Sequence, residues 1–465
     1  MEQRLVLTAA DVAAVTGGQI VRGDPGMTID RVSIDSRTVS KGDFFVAIRG
    51  TRFDGHEFVA AAIARGAAGA LVERRMDGGD APLLIRVHDT TRALQDLARH
   101  VRRSSRARVV AITGSAGKTT TKEITAEFLS ARYRVFRNRG NLNNHIGLPL
   151  SLMELRSKPD IAVVEFGMNH PGEIRTLVGI AEPDVRVWTN VGDAHLGFFA
   201  TPDAIADAKA EILAQAGPAD VLVANADDVR VMSRAAGFAG RTVTFGIDSP
   251  ADVRAVEITP RGLDGTAALL STPEGDARLE TPLIGRGNLA NILAAAASAL
   301  QFQIPLGAIV ERAARLRAAS HRGELFRLPG GITLLDDSYN SSPSALRRAL
   351  EVVAAVTGCA RKAAVLGEML ELGAHAEALH EECGRAAAAS GLDLLIAVGA
   401  APARTLADAA VAAGMPAAAV AYVATSQEAA ALALERIRPG DFVLVKGSRS
   451  IATDQVVERL KQEFA

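Results

Sequence analysis

The central part of the chain alternates short apolar runs with longer segments that mix apolar and polar residues. The apolar runs predict buried strands at 108–113, 160–166, 185–191 and 220–227. The segments between them predict helices at 118–131, 172–181 and 202–216. Apolar strands that alternate with helices are typical of a parallel sheet with helices on both faces. The pattern therefore predicts a doubly wound parallel sheet in this part of the chain.

Further α/β patterns lie around this block. Residues 241–285 are rich in strand-forming residues with Gly and Pro turns, and a helix is predicted at 288–300. Residues 1 to about 88 mix short strands with an alanine-rich helix at 56–67. A helix at 92–105 is expected to lead from this small α/β unit into the central block.

The last part of the chain begins near residue 320 and repeats the alternation. Its apolar runs predict strands at 332–337, 362–367, 392–399, 420–425 and 441–447. This pattern indicates a second sheet, of Rossmann-like kind. A length of 465 residues suggests about three domains at roughly 150 residues each. We predict their bounds at 1–88, 89–318 and 319–465.

Composition excludes several classes of protein. The 52 basic residues nearly balance the 53 acidic residues, which gives no sign of a nucleic-acid-binding arm or a basic membrane surface. No apolar run reaches the ~20 residues of a transmembrane helix, and the N-terminus lacks a signal-peptide pattern. The two cysteines, Cys359 and Cys383, are too few for a disulfide framework, and their spacing is not that of metal ligands. We expect a cytoplasmic protein that binds no nucleic acid and does not insert into membranes.

The basic residues are unevenly divided between lysine and arginine. The lysines among the 52 basic residues are at positions 41, 118, 122, 158, 209, 362, 446 and 461. A GC-rich coding bias explains this scarcity, but each remaining lysine is a candidate for chemistry that arginine cannot perform.

The strand at 108–113 runs into GSAGKTTTKE at 114–123, where a helix is predicted to begin. A glycine-rich turn between a strand and a helix directs backbone N–H groups and the helix dipole at an anion. Lys118 is expected to reach the outer phosphates and the Thr119 hydroxyl to bind Mg²⁺. Ile112 stands where the first glycine of the common phosphate-loop spacing would be. The alternative is an incidental helix cap.

Two residues at predicted strand ends are candidate metal ligands. Glu165 ends an otherwise apolar strand, and burial of its charge would be costly without a partner such as a metal ion. His195 follows the next strand, whose end faces the same crevice of a parallel sheet. The alternatives are a solvent-facing carboxylate for Glu165 and an ordinary loop residue for His195.

Together with AHL at 194–196 and AKAEI at 208–212, these motifs resemble the Mur ligase family of ATP-dependent, amide-forming enzymes of peptidoglycan synthesis. The resemblance covers the whole chain in order. Further segments carry it: SIDSRTVSKGDFFVAIRGTRFDGHEF (33–58), NRGNLNNHIGLPLSL (138–152), EFGMNHPGEI (165–174), LLDDSYNSSPSAL (334–346), VLGEMLELG (365–373) and VLVKGSR (443–449).

The resemblance implies a three-domain α/β fold: a mixed α/β N-terminal domain, a phosphate-loop ATPase-like parallel sheet and a Rossmann-like C-terminal domain. It is closest to members that join D-alanyl-D-alanine to UDP-N-acetylmuramoyl-tripeptide, with an acyl phosphate as intermediate. Siblings that add the third amino acid carry DYAHTP-like and KGHE-like segments, where this chain has DSYNSSP and KGSR. That sibling activity, a folylpolyglutamate synthase and a non-catalytic nucleotide-binding protein are the alternatives.

The resemblance also implies cofactors and site residues, in a chain expected to be a monomer. ATP and two Mg²⁺ ions are expected, with Lys118, Glu165, His195 and Lys209 as the catalytic set. The implied metal ligands are Thr119, Glu165, His195 and Lys209. The implied ATP contacts are Gly114, Ser115, Ala116, Gly117, Lys118, Thr119, Thr120, Asn288, Asn291, Arg322 and Asp337.

Substrate contacts are implied in two groups, and an ordinary turn or surface role is the alternative for each residue. Contacts to the UDP-substrate are expected from Ser36, Arg37, Asn141 and Asn144. Contacts on the D-alanyl-D-alanine side are expected from Tyr339, Asn340 and Lys446, with Arg449 close by. Asp54 and His56 are equally compatible with a turn and with a ligand site.

Lys209 presents an electrostatic problem. The resemblance places it close to a second Mg²⁺, yet like charges at ~4 Å repel by about 4 kcal/mol even at an effective dielectric constant of 20. Reaction with CO₂ would convert the ammonium into an anionic carbamate that can share in metal ligation. We expect this carbamate, and the alternative is a lysine on a helix surface.

This chain departs from the family pattern at three positions. Gly287 replaces a histidine and bears on adenine packing. Gly197 replaces a glutamate at the rim of the crevice. Glu368 stands where aspartate is commoner.

Overall fold

The computed structural model describes residues 4–76, 81–194 and 196–464. The chain divides into two compact units. The first contains the described residues of 1–112, 132–186 and 211–220. The second contains the described residues of 113–131, 187–210 and 221–465.

The first strands of the chain form a small mixed sheet and a separate two-stranded sheet. The strands are β1 (Leu7–Thr8), β2 (Gln19–Arg22), β3 (Thr28–Ile29), β4 (Arg31–Ser33), β5 (Asp43–Val46), β6 (Gly69–Val72) and β7 (Leu84–Arg86). The helices are α1 (Ala9–Thr16), α2 (Val59–Ala64) and α3 (Thr90–Ser105). The described residues give a sheet of order β2-β7-β6-β5-β4, parallel except for β2, and a separate antiparallel pair of β1 with β3. Its core includes Phe45, Val59 and Ala70.

The central strands belong to one sheet. They are β8 (Arg108–Thr113), β9 (Val135–Arg137), β10 (Ile161–Glu165), β11 (Val185–Trp188), β12 (Val221–Asn225), β13 (Arg241–Gly246), β14 (Val253–Pro260), β15 (Thr266–Thr272) and β16 (Gly275–Thr281). Their order is β16-β15-β14-β13-β12-β11-β8-β10-β9. Strand β10 is parallel to β8 and β9, and β12, β13 and β14 are parallel to one another. Strands β15 and β16 extend the sheet as antiparallel neighbours.

The helices of this central part follow the strands in the order typical of a doubly wound sheet. They are α4 (Lys118–Leu129), α5 (Gly147–Leu152), α6 (Glu173–Ala181), α7 (Pro202–Ala210), α8 (Val229–Ala235), α9 (Arg286–Leu300) and α10 (Leu306–Ala313).

The C-terminal strands form a sheet with helices on both faces. The strands are β17 (Glu324–Arg327), β18 (Thr333–Asp337), β19 (Lys362–Gly367), β20 (Leu394–Val398), β21 (Val420–Val423) and β22 (Phe442–Lys446). The helices are α11 (Pro343–Ala355), α12 (Ala376–Ala389), α13 (Ala401–Ala412), α14 (Ser426–Arg436) and α15 (Asp454–Glu463). The strand order is β17-β18-β22-β19-β20-β21, and only β17 is antiparallel among these described strands.

Two separate cores on the C-terminal sheet explain this layering. Helices α11, α12 and α13 contribute Leu350, Cys383 and Leu406 to one core. Helices α14 and α15 contribute Ala433 and Val456 to the other. Since each face is covered, the middle residues of the strands between them are apolar, as is typical of parallel sheets. The predicted α/β fold class is confirmed.

Short 3₁₀ helices join several of these elements. They are Gly55–Phe58, Met153–Ser157, Glu211–Leu213, Gly262–Asp264, Pro329–Gly331, Gly373–His375, Ala417–Ala419 and Arg449–Ile451.

Some predicted bounds were wrong at the element ends. The helix predicted at 202–216 ends as an α-helix at Ala210, and a 3₁₀ turn follows at Glu211–Leu213. The strand predicted at 185–191 ends at Trp188. The helix predicted at 92–105 begins earlier, at Thr90, because the Asp89 side chain accepts a hydrogen bond from Arg92 N at 2.8 Å. The helix predicted at 56–67 begins with the 3₁₀ turn and ends at Ala64.

Candidate active site

The phosphate loop follows β8 and ends where α4 begins at Lys118. Gly117, the residue before the helix, has a left-handed backbone with φ of 82°. A Cβ placed on Gly117 would lie 2.3 Å from Oδ1 of Asn291, and one on Gly114 would lie 1.9 Å from Oγ1 of Thr189. Both positions therefore accept only glycine.

Residues after β11 hold this loop in place. Ser115 N donates to the Asn190 carbonyl at 3.0 Å, and Ala116 N donates to Asn190 Oδ1 at 2.9 Å. The Thr189 hydroxyl donates to the Ala116 carbonyl at 2.8 Å. Sequence reasoning missed Thr189 and Asn190, because it assigned them to the end of a strand. Their contacts arise where β11 stops short and the chain turns toward the loop.

The remaining predicted phosphate contacts lie in the first turn of α4. Lys118 bends back over the loop, and its Nζ donates to the Gly114 carbonyl at 2.8 Å. Thr119 and Thr120 follow it and are half-buried. Gly117 offers no side chain to cap this helix. The first turn of α4 thus carries a lysine and two threonines at the positive end of a helix dipole.

Lys209 lies in the last turn of α7 and is buried, with 1% of its surface exposed. Burial lowers the pKa of Lys209 well below its ordinary value, and the positive charge of Lys118 lowers it further. Lys209 is therefore not the helix-surface lysine of the alternative interpretation.

The two asparagines of α9 have different surroundings. Asn291 Oδ1 accepts a hydrogen bond from the Thr121 hydroxyl at 3.2 Å and packs against Gly117. Asn288 Nδ2 donates to the Ile284 carbonyl at 2.9 Å, at the start of its own helix. Of these two asparagines, Asn291 is the one whose hydrogen bond and packing contact reach the phosphate-loop region.

The C-terminal part contains six predicted residues, which make two sets of contacts near the ends of β18 and β22. Lys446, which is buried, donates through Nζ to Asp337 Oδ2 at 2.6 Å and to the Asn340 carbonyl at 3.0 Å. The Arg322 guanidinium lies 3.9 Å from the centre of the Tyr339 ring, which Arg449 approaches at 6.0 Å. Two guanidinium groups thus converge on one aromatic ring, and a buried lysine pairs with a carboxylate near the same strand ends.

A buried network supports this cluster and was not predicted. His321 Nδ1 lies 2.7 Å from Asp336 Oδ2, and the Ser338 hydroxyl donates to Asp336 Oδ1 at 2.5 Å. Tyr339 N donates to the His321 carbonyl at 3.0 Å. The network ties the segment that carries Arg322 to the segment that carries Tyr339.

Glu165 is the last residue of β10 and is 3% exposed. Its Oε1 accepts a hydrogen bond from Asn143 Nδ2 at 2.8 Å, and its backbone N donates to Asn138 Oδ1 at 3.1 Å. The solvent-facing alternative for Glu165 is therefore wrong. Sequence reasoning missed both Asn138 and Asn143.

The predicted UDP-substrate asparagines have local roles. Asn144 Oδ1 accepts from the backbone N of Ile146 and of Gly147, at 3.1 and 2.7 Å, at the start of α5. The carbonyl of Asn141, which is exposed, accepts from Asn143 N at 2.8 Å.

In the N-terminal part, Arg37 donates through Nε and Nη2 to Asp35 at 2.9 and 2.8 Å, and Ser36 lies half-buried between them. The Arg37 guanidinium lowers the pKa of Asp35 to about 2.

Asp54 and His56 stabilise the fold of this part. Asp54 Oδ1 accepts from His56 N at 3.0 Å and lies 2.6 Å from His56 Nδ1. His56, which is 1% exposed, accepts from Glu73 N at Nε2. Both ring nitrogens are therefore engaged within the fold, which favours the turn role over the ligand role.

His195 lies outside the described residues. Within the ranges that the structure describes, no group of three or more His, Cys, Asp or Glu residues could hold a metal ion. None of the helices in those ranges is both long enough and apolar enough to span a bilayer.

Two departures from the family pattern have different surroundings. A Cβ on Gly287 would lie 3.6 Å from Cδ of Arg348, an ordinary contact distance that leaves room for a side chain. Glu368 Oε2 accepts from Ala400 N at 2.6 Å, at the start of α13.

Three family models match the chain in order. They are described as "Mur ligase family, catalytic domain" at 28–102, "Mur ligase middle domain" at 112–299 and "Mur ligase, glutamate ligase domain" at 321–449. The chain belongs to the Mur ligase family, as its motifs predicted.

Individual relatives cover most of the chain. The UDP-N-acetylmuramoyl-tripeptide–D-alanyl-D-alanine ligase of Escherichia coli (strain K12) is 38% identical over 397 residues, which are 84% of this chain and 86% of the relative. A crystal structure of MurF from Acinetobacter baumannii is 33% identical, with a TM-score of 0.89 over 98% of this chain and 99% of that one. MurF ligase from Thermotoga maritima in complex with ADP is 30% identical, with a TM-score of 0.82 over 93% and 97%.

Proposed function

We propose that the protein uses ATP to join D-alanyl-D-alanine to UDP-N-acetylmuramoyl-tripeptide, giving the UDP-muramoyl-pentapeptide precursor of peptidoglycan. The phosphate loop that ends at Lys118 supports ATP use, and it is the structural observation that carries the proposal. The choice of UDP-N-acetylmuramoyl-tripeptide and D-alanyl-D-alanine as substrates is supported by the 38% identity to a ligase named for that reaction.

The chemistry explains why ATP is needed. A carboxylate is a poor electrophile, so transfer of the γ-phosphoryl group to the tripeptide carboxylate first forms an acyl phosphate and ADP. The amine of D-alanyl-D-alanine then attacks the acyl carbon, and the tetrahedral intermediate expels phosphate. Lys118 would offset repulsion between the two anions that must meet. Orientation of the reactants can supply roughly 7–11 kcal/mol of the barrier reduction.

We propose that the chain binds two Mg²⁺ ions together with ATP. Thr119 and Glu165 would hold one, and Glu165, His195 and Lys209 as a carbamate would hold the other. When bound, the ions would stabilise negative charge on the phosphates. Burial of Glu165 supports this assignment, because a buried carboxylate requires partners.

The carbamate of Lys209 is supported by its surroundings. Only a neutral amine attacks CO₂, and the lowered pKa of Lys209 favours that form. Crystallographic density beyond Nζ, or a ¹³C signal after exposure to ¹³CO₂, would detect the carbamate. Full activity of Lys209→Ala at low bicarbonate would contradict it.

The remaining assignments are part of the proposal. Asn288, Asn291, Arg322 and Asp337 would contact ATP with the loop 114–120. Ser36, Arg37, Asn141 and Asn144 would contact the UDP-substrate. Tyr339, Asn340 and Lys446 would contact D-alanyl-D-alanine. The hydrogen bond from Lys446 Nζ to the Asn340 carbonyl supports the last group.

We also propose a monomer that acts in the cytoplasm, where ATP and nucleotide-linked substrates occur. The order of the three family models supports the domain bounds 1–88, 89–318 and 319–465. Light scattering would test the monomer, and limited proteolysis would test the domain bounds.

A product assay distinguishes this activity from that of a sibling. The purified protein is incubated with ATP, Mg²⁺ and either UDP-muramoyl-tripeptide plus D-alanyl-D-alanine or UDP-muramoyl-dipeptide plus L-lysine or meso-diaminopimelate. We expect the pentapeptide mass only in the first reaction. Product only in the second would assign the sibling activity, and nucleotide binding with no product would favour a non-catalytic role.

A further inference from the structure

The carboxylate of Glu165 is oriented by an amide from another loop. Asn143 Nδ2 donates to Glu165 Oε1 at 2.8 Å. Glu165 is 3% exposed and lies opposite Ile112 in the parallel pairing of β10 with β8. In such a buried setting a hydrogen bond has a strong effect on the orientation of a charged group.

Asn138 joins the same loop to the strand. Its Oδ1 accepts from Glu165 N at 3.1 Å, and its Nδ2 donates to the Leu142 carbonyl at 3.1 Å. Asn138 is 1% exposed. One side chain therefore links the end of β10 to the residue that precedes Asn143.

Gly167 holds Asn143 from the opposite side. Gly167 N donates to the Asn143 carbonyl at 2.8 Å. A Cβ on Gly167 would lie 2.8 Å from both Cγ and Oδ1 of Asn143. Close approach, rather than an unusual backbone angle, therefore requires glycine here, and any larger residue would displace the amide.

We infer that Asn143 is a positioning residue for Glu165: its amide, held by Asn138 and Gly167, sets the carboxylate orientation needed for Mg²⁺ binding. The inference rests on the proposed function, which gives Glu165 that ligand role. Groups that hydrogen-bond metal ligands orient them, and their loss typically lowers metal affinity by about 10–100-fold. An amide is suited to this task because its N–H donates at every pH.

Two variants disturb this contact independently. Asn143→Ala removes the donor, and Gly167→Ala leaves the donor present but pushes it away. Asn169→Ala is a control for the first variant, because Asn169 is exposed. Gly179→Ala is a control for the second, because a Cβ there would meet only Gln215 Nε2, at 3.8 Å. Glu165→Ala tests the ligand role itself.

The measurement is Mn²⁺ binding to each full-length variant in the presence of ADP, followed by electron paramagnetic resonance. ADP binding without metal and the thermal midpoint are recorded alongside. We expect about 10–100-fold weaker Mn²⁺ binding for Asn143→Ala and Gly167→Ala, with metal-free ADP binding unchanged. Both controls are expected to match the wild type, and Glu165→Ala is expected to lose at least as much affinity.

The outcomes separate the inference from the proposed function. If Glu165→Ala loses Mn²⁺ affinity while Asn143→Ala and Gly167→Ala retain it, the inference is overturned and the metal role of Glu165 stands. If Glu165→Ala binds Mn²⁺ as the wild type does, the ligand role is overturned, and the inference fails with it. If one variant does not fold, the other still decides the result.

Discussion

Gly197 and Glu371 form a direct backbone contact in which Gly197 N donates to the Glu371 carbonyl at 2.7 Å. A Cβ on Gly197 would lie 2.9 Å from that oxygen and 2.9 Å from Gly373 N. Gly373, with φ of 56°, is equally restricted, because its Cβ would lie 2.8 Å from Gly197 Cα. The chain at Gly197 therefore approaches the loop after β19 more closely than any side chain at 197 would allow.

Replacement of Gly197 is expected to separate these two segments. Gly197→Ala introduces overpacking, which typically costs about 1–3 kcal/mol of unfolding free energy. Hydrogen exchange should rise in peptides that cover 196–200 and 369–375. Gly237→Ala is the control, because nothing lies within 4 Å of its Cβ position. Equal hydrogen exchange of these peptides in Gly197→Ala and Gly237→Ala would contradict the close approach of Gly197 to Glu371 and Gly373.

The lowered pKa of Lys209 predicts a pH-dependent stability. Between that pKa and the ordinary value of 10.5 the unfolded chain binds more protons than the folded chain, so the unfolding free energy should rise with pH. Lys209→Met removes the group and should flatten this part of the profile. Urea unfolding in CO₂-free buffer measures both curves, and identical slopes would show that Lys209 titrates normally.

Lys118→Arg should abolish most catalysis although it keeps the charge. The amine of Lys118 reaches back to the Gly114 carbonyl at 2.8 Å, and a planar guanidinium is larger than this compact ammonium. We expect kcat to fall by about 100–1,000-fold, as for loss of other groups that stabilise developing charge. Lys41→Arg, at an exposed position, is the control. A wild-type kcat for Lys118→Arg would contradict the role of Lys118 at the phosphate site.

The asparagines of α9 should differ in their effect on nucleotide binding. Asn291→Ala removes a hydrogen bond to Thr121 and leaves space against Gly117, so the affinity for ADP should fall. Loss of the hydrogen bond should also lower the unfolding free energy by about 0.5–1.5 kcal/mol. Asn288→Ala removes only a bond to Ile284 and should weaken ADP binding less. Calorimetric titration with ADP measures the affinity of each variant. A larger loss of affinity in Asn288→Ala than in Asn291→Ala would indicate that Asn288 makes the direct contact with the nucleotide.

Sequence patterns predicted the elements of this protein better than their ends. The strand at 362–367 lies where the apolar run predicted it. The predicted strand 185–191 ends early because Thr189 and Asn190 use their polar groups on the phosphate loop, a contact between residues about 75 positions apart. Periodicity carries no information about such distant partners.

The candidate site was predictable where one residue type is required by local geometry. Gly117 and Lys118 belong to a contiguous motif whose spacing defines its shape. Asn143 was not predictable, because asparagines in a Gly-Asn run are common turn formers and only folding brings this one to Glu165. The Asn144 side chain instead accepts from two backbone N–H groups of the turn that leads into α5, so neighbouring asparagines of one run have different roles.

The transfer of oxygen from substrate to phosphate tests the central claim most directly. The terminal carboxylate of the UDP-muramoyl-tripeptide is labelled with ¹⁸O, and the released phosphate is analysed by mass spectrometry in the presence of ATP and D-alanyl-D-alanine. An acyl phosphate intermediate predicts one ¹⁸O in each phosphate released, and phosphate release that depends on the dipeptide. Unlabelled phosphate, or release without D-alanyl-D-alanine, would contradict the proposed ligation.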